Sequence, residues 1–131
     1  MEEKVQLSAE KVQLFVAKAH GDFDTVKRLL AEEPSLVNAS WDWGNGDWET
    51  GLGAAAHVGS RDIAEFLLAH GARLDIFAAA MLGKTAVVQA ILADYPELID
   101  AKGPHGIPLM IHAQAGGEAA EDVVRLLENF A

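Results

Sequence analysis

Five histidines (His20, His57, His70, His105 and His112) and no cysteine leave imidazole and carboxylate as the groups able to do chemistry. A zinc-type centre needs three or four such ligands converging, each His held by a second hydrogen bond. No His-x-x-His or His-Glu-x-x-His pattern occurs, and a helix start separates His105 from His112. Spacing therefore predicts no metal centre and no cofactor. His70 reads as a structural residue before a Gly-Ala loop, and His112 as a core histidine with one hydrogen bond.

The densest stretch runs from Ala39 to Glu49. Trp41, Trp43 and Trp48 fall within eight positions, beside Asp42, Asp47 and Glu49 and around an Asn45-Gly46 pair that signals a tight turn. This reads as a lengthened hairpin carrying indoles ringed by carboxylates, a surface suited to a cationic side chain, a peptide or an amine-bearing small molecule. The alternative is that an indole, Trp41 first, folds back and plugs a gap in the fold. Asp47 or Glu49 could orient His57 as a general base, with His105 across the groove, and a Trp wall would raise a carboxyl pKa by desolvation. There is no nucleophile elbow, Gly-rich phosphate loop or dinucleotide fingerprint to complete a catalytic set. The expectation is a protein that is not an enzyme.

These residues are positioned by a repeat. An alanine-rich helix ending in Gly, followed by a helix with paired aliphatics, recurs at Ala17–Gly21 with Leu29-Leu30, at Ala55–Gly59 with Leu67-Leu68, at Ala79–Gly83 with Ile91-Leu92, and at Ala113–Gly116 with Leu126-Leu127. The glycines are 38, 24 and 33 positions apart, so the helical pair is constant while the connection varies. Small residues on the first helix allow close approach, and Gly ends it through a left-handed turn. One pair cannot bury its apolar face alone, so the pairs must stack. The reading is an all-α solenoid of one domain, residues 1–131, with units at 8–39, 40–75, 76–101 and 102–131.

At Glu49-Thr50-Gly51-Leu52-Gly53-Ala54-Ala55-Ala56-His57-Val58-Gly59, continuing through Leu67-Leu68 and His70-Gly71-Ala72, the chain resembles the ankyrin repeat. Ile107-Pro108-Leu109 repeats its Thr-Pro-Leu element, and Leu36-Val37-Asn38-Ala39 resembles its Val-Asn close. The likeness spans about residues 10 to 131. Gly51 and Gly53 stand where the family has Pro and His, the finger before the third unit is nearly deleted, and His112 occupies a usual core Ala position. Thr50 is left to cap the helix start. The resemblance implies a concave face built from finger tips and first-helix ends. That face would hold Asp47, Trp48, Glu49, His57 and Val58, then Met81 and Leu82, then His105, Gln114 and Ala115, with His20 the matching position in the first unit. Trp43, Asp47, Trp48, Glu49, His57, Met81, His105 and Gln114 are the expected partner-binding residues.

The function expected is a non-catalytic module that grips another protein. The alternative is a small-molecule binder or cryptic enzyme with a pocket at the truncated finger, walled by Trp48, His57, Phe77, Met81 and His105. The 131 residues are half apolar and 23% charged, which supports a buried core. A net charge of −10 argues against nucleic acid as partner. Met1-Glu2-Glu3-Lys4 lacks a signal-peptide start, no apolar run approaches a membrane span, and the absence of cysteine fits the cytoplasm. The last repeat ends at Ala131 without a polar cap, which leaves open a natural half-cap, a truncation or an edge covered by self-association.

Overall fold

Ser8, Asp22, Thr50 and Asp75 start helices in the same way. Each accepts, through its side-chain oxygen, the backbone N–H three residues on: Lys11, Thr25, Gly53 and Ala78. Such caps satisfy a donor that a helix start otherwise leaves orphaned. The computed structural model describes residues 3–130. Met1, Glu2 and Ala131, the ends of the expected domain and of the leader and C-terminal readings, lie outside them. Among the described residues the helices are α1 (Ala9–Lys18), α2 (Phe23–Glu32), α3 (Gly51–His57), α4 (Arg61–Ala69), α5 (Ile76–Met81), α6 (Thr85–Asp94), α7 (Leu109–Ala115) and α8 (Glu121–Glu128). A two-stranded antiparallel hairpin, β1 (Ser40–Asp42) and β2 (Trp48–Thr50), precedes α3. No strand precedes α5, because Asp75 caps that helix directly. The protein is mostly helical, as expected, and no described helix is long and apolar enough to cross a membrane.

Helices pair in chain order, α1 with α2 through α7 with α8, and α1, α3, α5 and α7 pack in series. Alanine makes this series possible: Ala54, Ala55, Ala56, Ala78, Ala79, Ala80 and Ala113 are fully buried. Two apolar clusters result. One gathers Phe15, Val16, Leu36, Leu52, Ile63 and Leu67, and the other gathers Val88, Leu92, Leu109 and Val123. The short helix α5 joins them, giving Ala78 and Met81 to the first and Ile76, Ala79 and Ala80 to the second. This corrects the expectation for Met81. Held between α3 and α7 it is fully buried and cannot line a groove, and Leu82 is buried too. At the C-terminal edge Leu127 is buried, while Leu126 and Phe130 are partly buried against the second cluster.

His112 is fully buried, with Nδ1 2.9 Å from the Pro108 carbonyl and its ring 4.8 Å from Phe77. Its Nε2 has no partner. Burial pushes its pKa below the usual 6.5, against the hydrogen bond to Pro108 and the weaker pull of Asp75. The unfolded chain therefore binds the extra proton more readily, and the stability from a neutral His112 is lost as pH falls below about 6.5. Urea unfolding at pH 7.5 and 5.5 should show a smaller acid loss for His112→Ala than for wild type. At pH 7.5 the variant should lie within about 1 kcal/mol of wild type, since cavity and relieved polar burial oppose one another.

Gly116 has an ordinary φ of −75°, and the left-handed turn falls instead on Gly117 at φ +64°. Gly116 is there for proximity: a Cβ would run into the Met81 carbonyl and the Ala120 Cβ. Gly71 is the converse, with φ +99° and open space around a would-be Cβ. Gly116→Ala should cost at least about 2 kcal/mol in urea unfolding by overpacking. Gly71→Ala should cost about 1 kcal/mol from backbone strain alone.

Candidate metal centre

Strand alternation buries an acid. Trp48, Glu49 and Thr50 are exposed, buried and partly buried in turn, so β2 sends the Glu49 side chain inward. The hairpin that holds it is stiff: Asp42 Oδ1 accepts the N–H groups of Gly44 and Gly46 at 2.8 and 3.0 Å, closing a turn through Asn45 at φ +56°. Trp43 Nε1–H donates to Glu49 Oε1 at 2.9 Å. The carboxylate is fully buried, an environment that an unpaired charge tolerates poorly.

Three imidazoles surround it. His20 follows the end of α1, and its Nδ1 lies 3.0 Å from the carbonyls of Val16 and Ala17. That bond makes Nδ1 the donor and leaves Nε2 bare, 3.2 Å from Glu49 Oε1. His57 is the last residue of α3, with Nε2 3.0 Å from Glu49 Oε2. His105 sits on the tight turn Pro104–Gly106 in a left-handed conformation, φ +62°, that a non-glycine residue rarely adopts. Asp47 compensates: its Oδ1 accepts the His105 backbone N–H and its Oδ2 pairs with Nδ1, both at 2.7 Å. His105 Nε2 is thereby aimed at Glu49 Oε2, 3.2 Å away.

The four ligating atoms lie within 4.8 Å of one another. A tetrahedral zinc with bonds of about 2.1 Å spaces its donors about 3.4 Å apart, so the set has metal-site dimensions. His57 Nε2 and Glu49 Oε2 are 3.0 Å apart, yet each lacks a hydrogen-bond partner. The same spacing serves an imidazole–carboxylate pair or two neighbouring donors on one cation. The carboxylate–imidazole arrangement Asp47–His105, and the carbonyl behind His20, supply the outer hydrogen bonds that orient metal-ligating histidines.

Without an ion the groups perturb one another. Burial pushes the His57 pKa down, against the attraction of Glu49 and with the help of His20 and His105. For His105 burial also opposes the charge, but Asp47 and Glu49 together outweigh it and raise the pKa. The backbone hydrogen bond from His105, then its ring, hold the Asp47 carboxyl below the usual range.

Of the residues expected from sequence, Trp43, Asp47, Glu49, His57 and His105 are brought together. Glu49 is corrected in one respect: it is no rim charge but the buried floor of the site. Trp48 is 59% exposed on the opposite face of β2, beside a cleft of about 460 Å³ lined by Leu7, Val12 and Trp41. Gln114 is exposed on α7, outside the ligand set. The wall proposed around Met81 and Phe77 does not form, since Met81 is buried and Phe77 packs on His112. Trp41 is packed on the first cluster, beside Leu7 and Val12 at the start of α1 rather than over the short connection before α5. His20 is the member of the cluster that the expected site set lacked. Its only sequence signal was nearness to a helix end: His20 stands one residue before Gly21 and His57 two before Gly59, so no shared register singles them out.

In metal-free protein, NMR titration of the imidazole Cε1–H signals should place His105 above 6.5 and His57 below it. A raised folded pKa contributes stability below about 6.5 that is lost as pH rises through the His105 value. Asp47→Asn should move His105 downward.

Compared with known proteins, the chain matches no family profile, no curated protein and no solved structure, so function has to be argued from the site itself.

Proposed function

We propose that the protein is a metal-binding module in which His20, His57, His105 and Glu49 hold one divalent transition-metal ion in the groove of an ankyrin-like stack. The observation that carries this is the fully buried Glu49 carboxylate, three imidazole nitrogens around it and its Oε2 without a hydrogen bond. A dication supplies the charge that this acid lacks. Nitrogen-rich, sulfur-free ligation suits Zn²⁺, Cu²⁺, Ni²⁺, Co²⁺ or Fe²⁺ and disfavours Ca²⁺ and Mg²⁺, which take oxygen shells. The solenoid reading is supported by the serial packing of the first helices and by the hairpin before α3. The cysteine-free composition keeps the cytoplasm as the setting.

A second reading, capture of another protein, is favoured by Trp48, whose indole stands 59% exposed beside its apolar cleft. It uses a different face of the hairpin and is compatible with the metal centre.

Isothermal titration of chelator-stripped protein with Zn²⁺ at pH 7.5 should give one ion per chain. Glu49→Gln and His57→Ala should each weaken binding by at least about tenfold, and Asp47→Asn by about 10- to 100-fold through the freed His105 ring. Affinity should fall at pH 5.5, where protons compete for the imidazoles. Zn²⁺ at a hundred times Kd should stabilise the fold by about 2.7 kcal/mol. Absence of stoichiometric uptake, or unchanged affinity in Glu49→Gln, overturns the proposal.

A further inference from the structure

We infer that the metal centre accepts a fifth ligand between His20 and His105, and that this ligand is the carboxylate of a small aromatic acid. The inference rests on the metal-binding reading and adds a ligand to it.

The ligands are not spread evenly. Ring centroids are 5.0 Å apart for His20 and His57, 5.3 Å for His57 and His105, and 6.3 Å for His20 and His105. Exposure follows the same order in depth: the Glu49 side chain is 0% exposed, His57 13%, His20 28% and His105 34%. The widest gap is thus the one nearest solvent. An ion held by all four groups is least covered there, so a further ligand would enter on that side by expanding the shell from four to five.

Trp43 stands beside that gap. Its ring centroid is 6.4 Å from His20 and 6.3 Å from His105, and the residue is 38% exposed. The hydrogen bond to Glu49 Oε1 fixes the indole by its nitrogen edge, so the platform exists before any ligand arrives. An aromatic ring entering here meets another in the offset or edge arrangement that such pairs prefer.

Charge selects the donor. A dication with Glu49 leaves a net single positive charge in the inner shell. Asp47 is engaged by two hydrogen bonds from His105 and does not occupy the gap. An anionic oxygen neutralises the remainder, and a carboxylate on a planar apolar body satisfies ion and indole together. Water fills the position in its absence.

The test uses the full-length protein loaded with Co²⁺, whose visible absorption reports coordination, titrated with benzoate and with acetate. Both acids should change the spectrum, with benzoate binding about tenfold more tightly, as expected for covering part of one ring. Trp43→Leu, checked first for Co²⁺ uptake, should bring benzoate to the level of acetate. Trp48→Ala, on the other strand face, should leave the preference intact. If Co²⁺ binds and neither acid alters the spectrum up to tens of millimolar, the centre is closed and this inference falls while the metal reading stands. If benzoate and acetate bind equally, or Trp43→Leu changes nothing, the ligand class is wrong. Failure of Co²⁺ uptake by the wild-type chain sinks both readings.

Discussion

A carboxylate removed from water must find positive charge or hydrogen bonds, and Glu49 imposes that demand on everything around it. One of its oxygens takes the Trp43 indole N–H. The other faces His57 and His105 without a hydrogen bond to either. Relieving a lone buried acid is worth several kcal/mol in general, which exceeds the contribution of any exposed ion pair on the helix surfaces. The stiff Asx-type turn at Asp42, the Thr50 cap and the strained His105 turn all serve to hold groups at that one point.

Two connecting segments meet at that point. With no hairpin before α5, the loop preceding α7 comes against the hairpin preceding α3, and Asp47 joins the two through a pair of 2.7 Å hydrogen bonds. Helix α5 is only six residues long and is wedged between the two apolar clusters, with alanines where bulkier residues would force the neighbouring helices apart.

Much of the architecture was legible in the residues. Ala-rich helices ending in glycine, with aliphatic pairs eight to ten residues on, mark the helix pairs, Thr50 marks a cap, and Asn45-Gly46 marks the hairpin. The His57, Glu49 and Asp47 neighbourhood is expected from the finger tips and first-helix ends that the family resemblance implies, whereas the inward turn of Glu49 comes from strand alternation. What sequence could not supply was the convergence. The four clustered groups come from the end of α1, from β2, from the end of α3 and from an isolated turn, so no spacing rule connects them. Nor could hydrophobicity show that Met81, apparently at a helix end, lies between two other helices. Gly116 misleads for a related reason: it resembles a C-terminal turn residue, whereas it marks the near-contact of two backbones.

The order of the clustered residues along the chain has a bearing on how the cluster is made. His20, Glu49 and His57 belong to the first two helix pairs, which share one apolar cluster, while His105 lies beyond both α5 and α6. During synthesis His20, Glu49 and His57 therefore leave the ribosome 48 or more residues before His105. A half-made chain holds Glu49 without the imidazole that Asp47 aims at it, and the cluster is complete only once the turn before α7 has come against the β1–β2 hairpin.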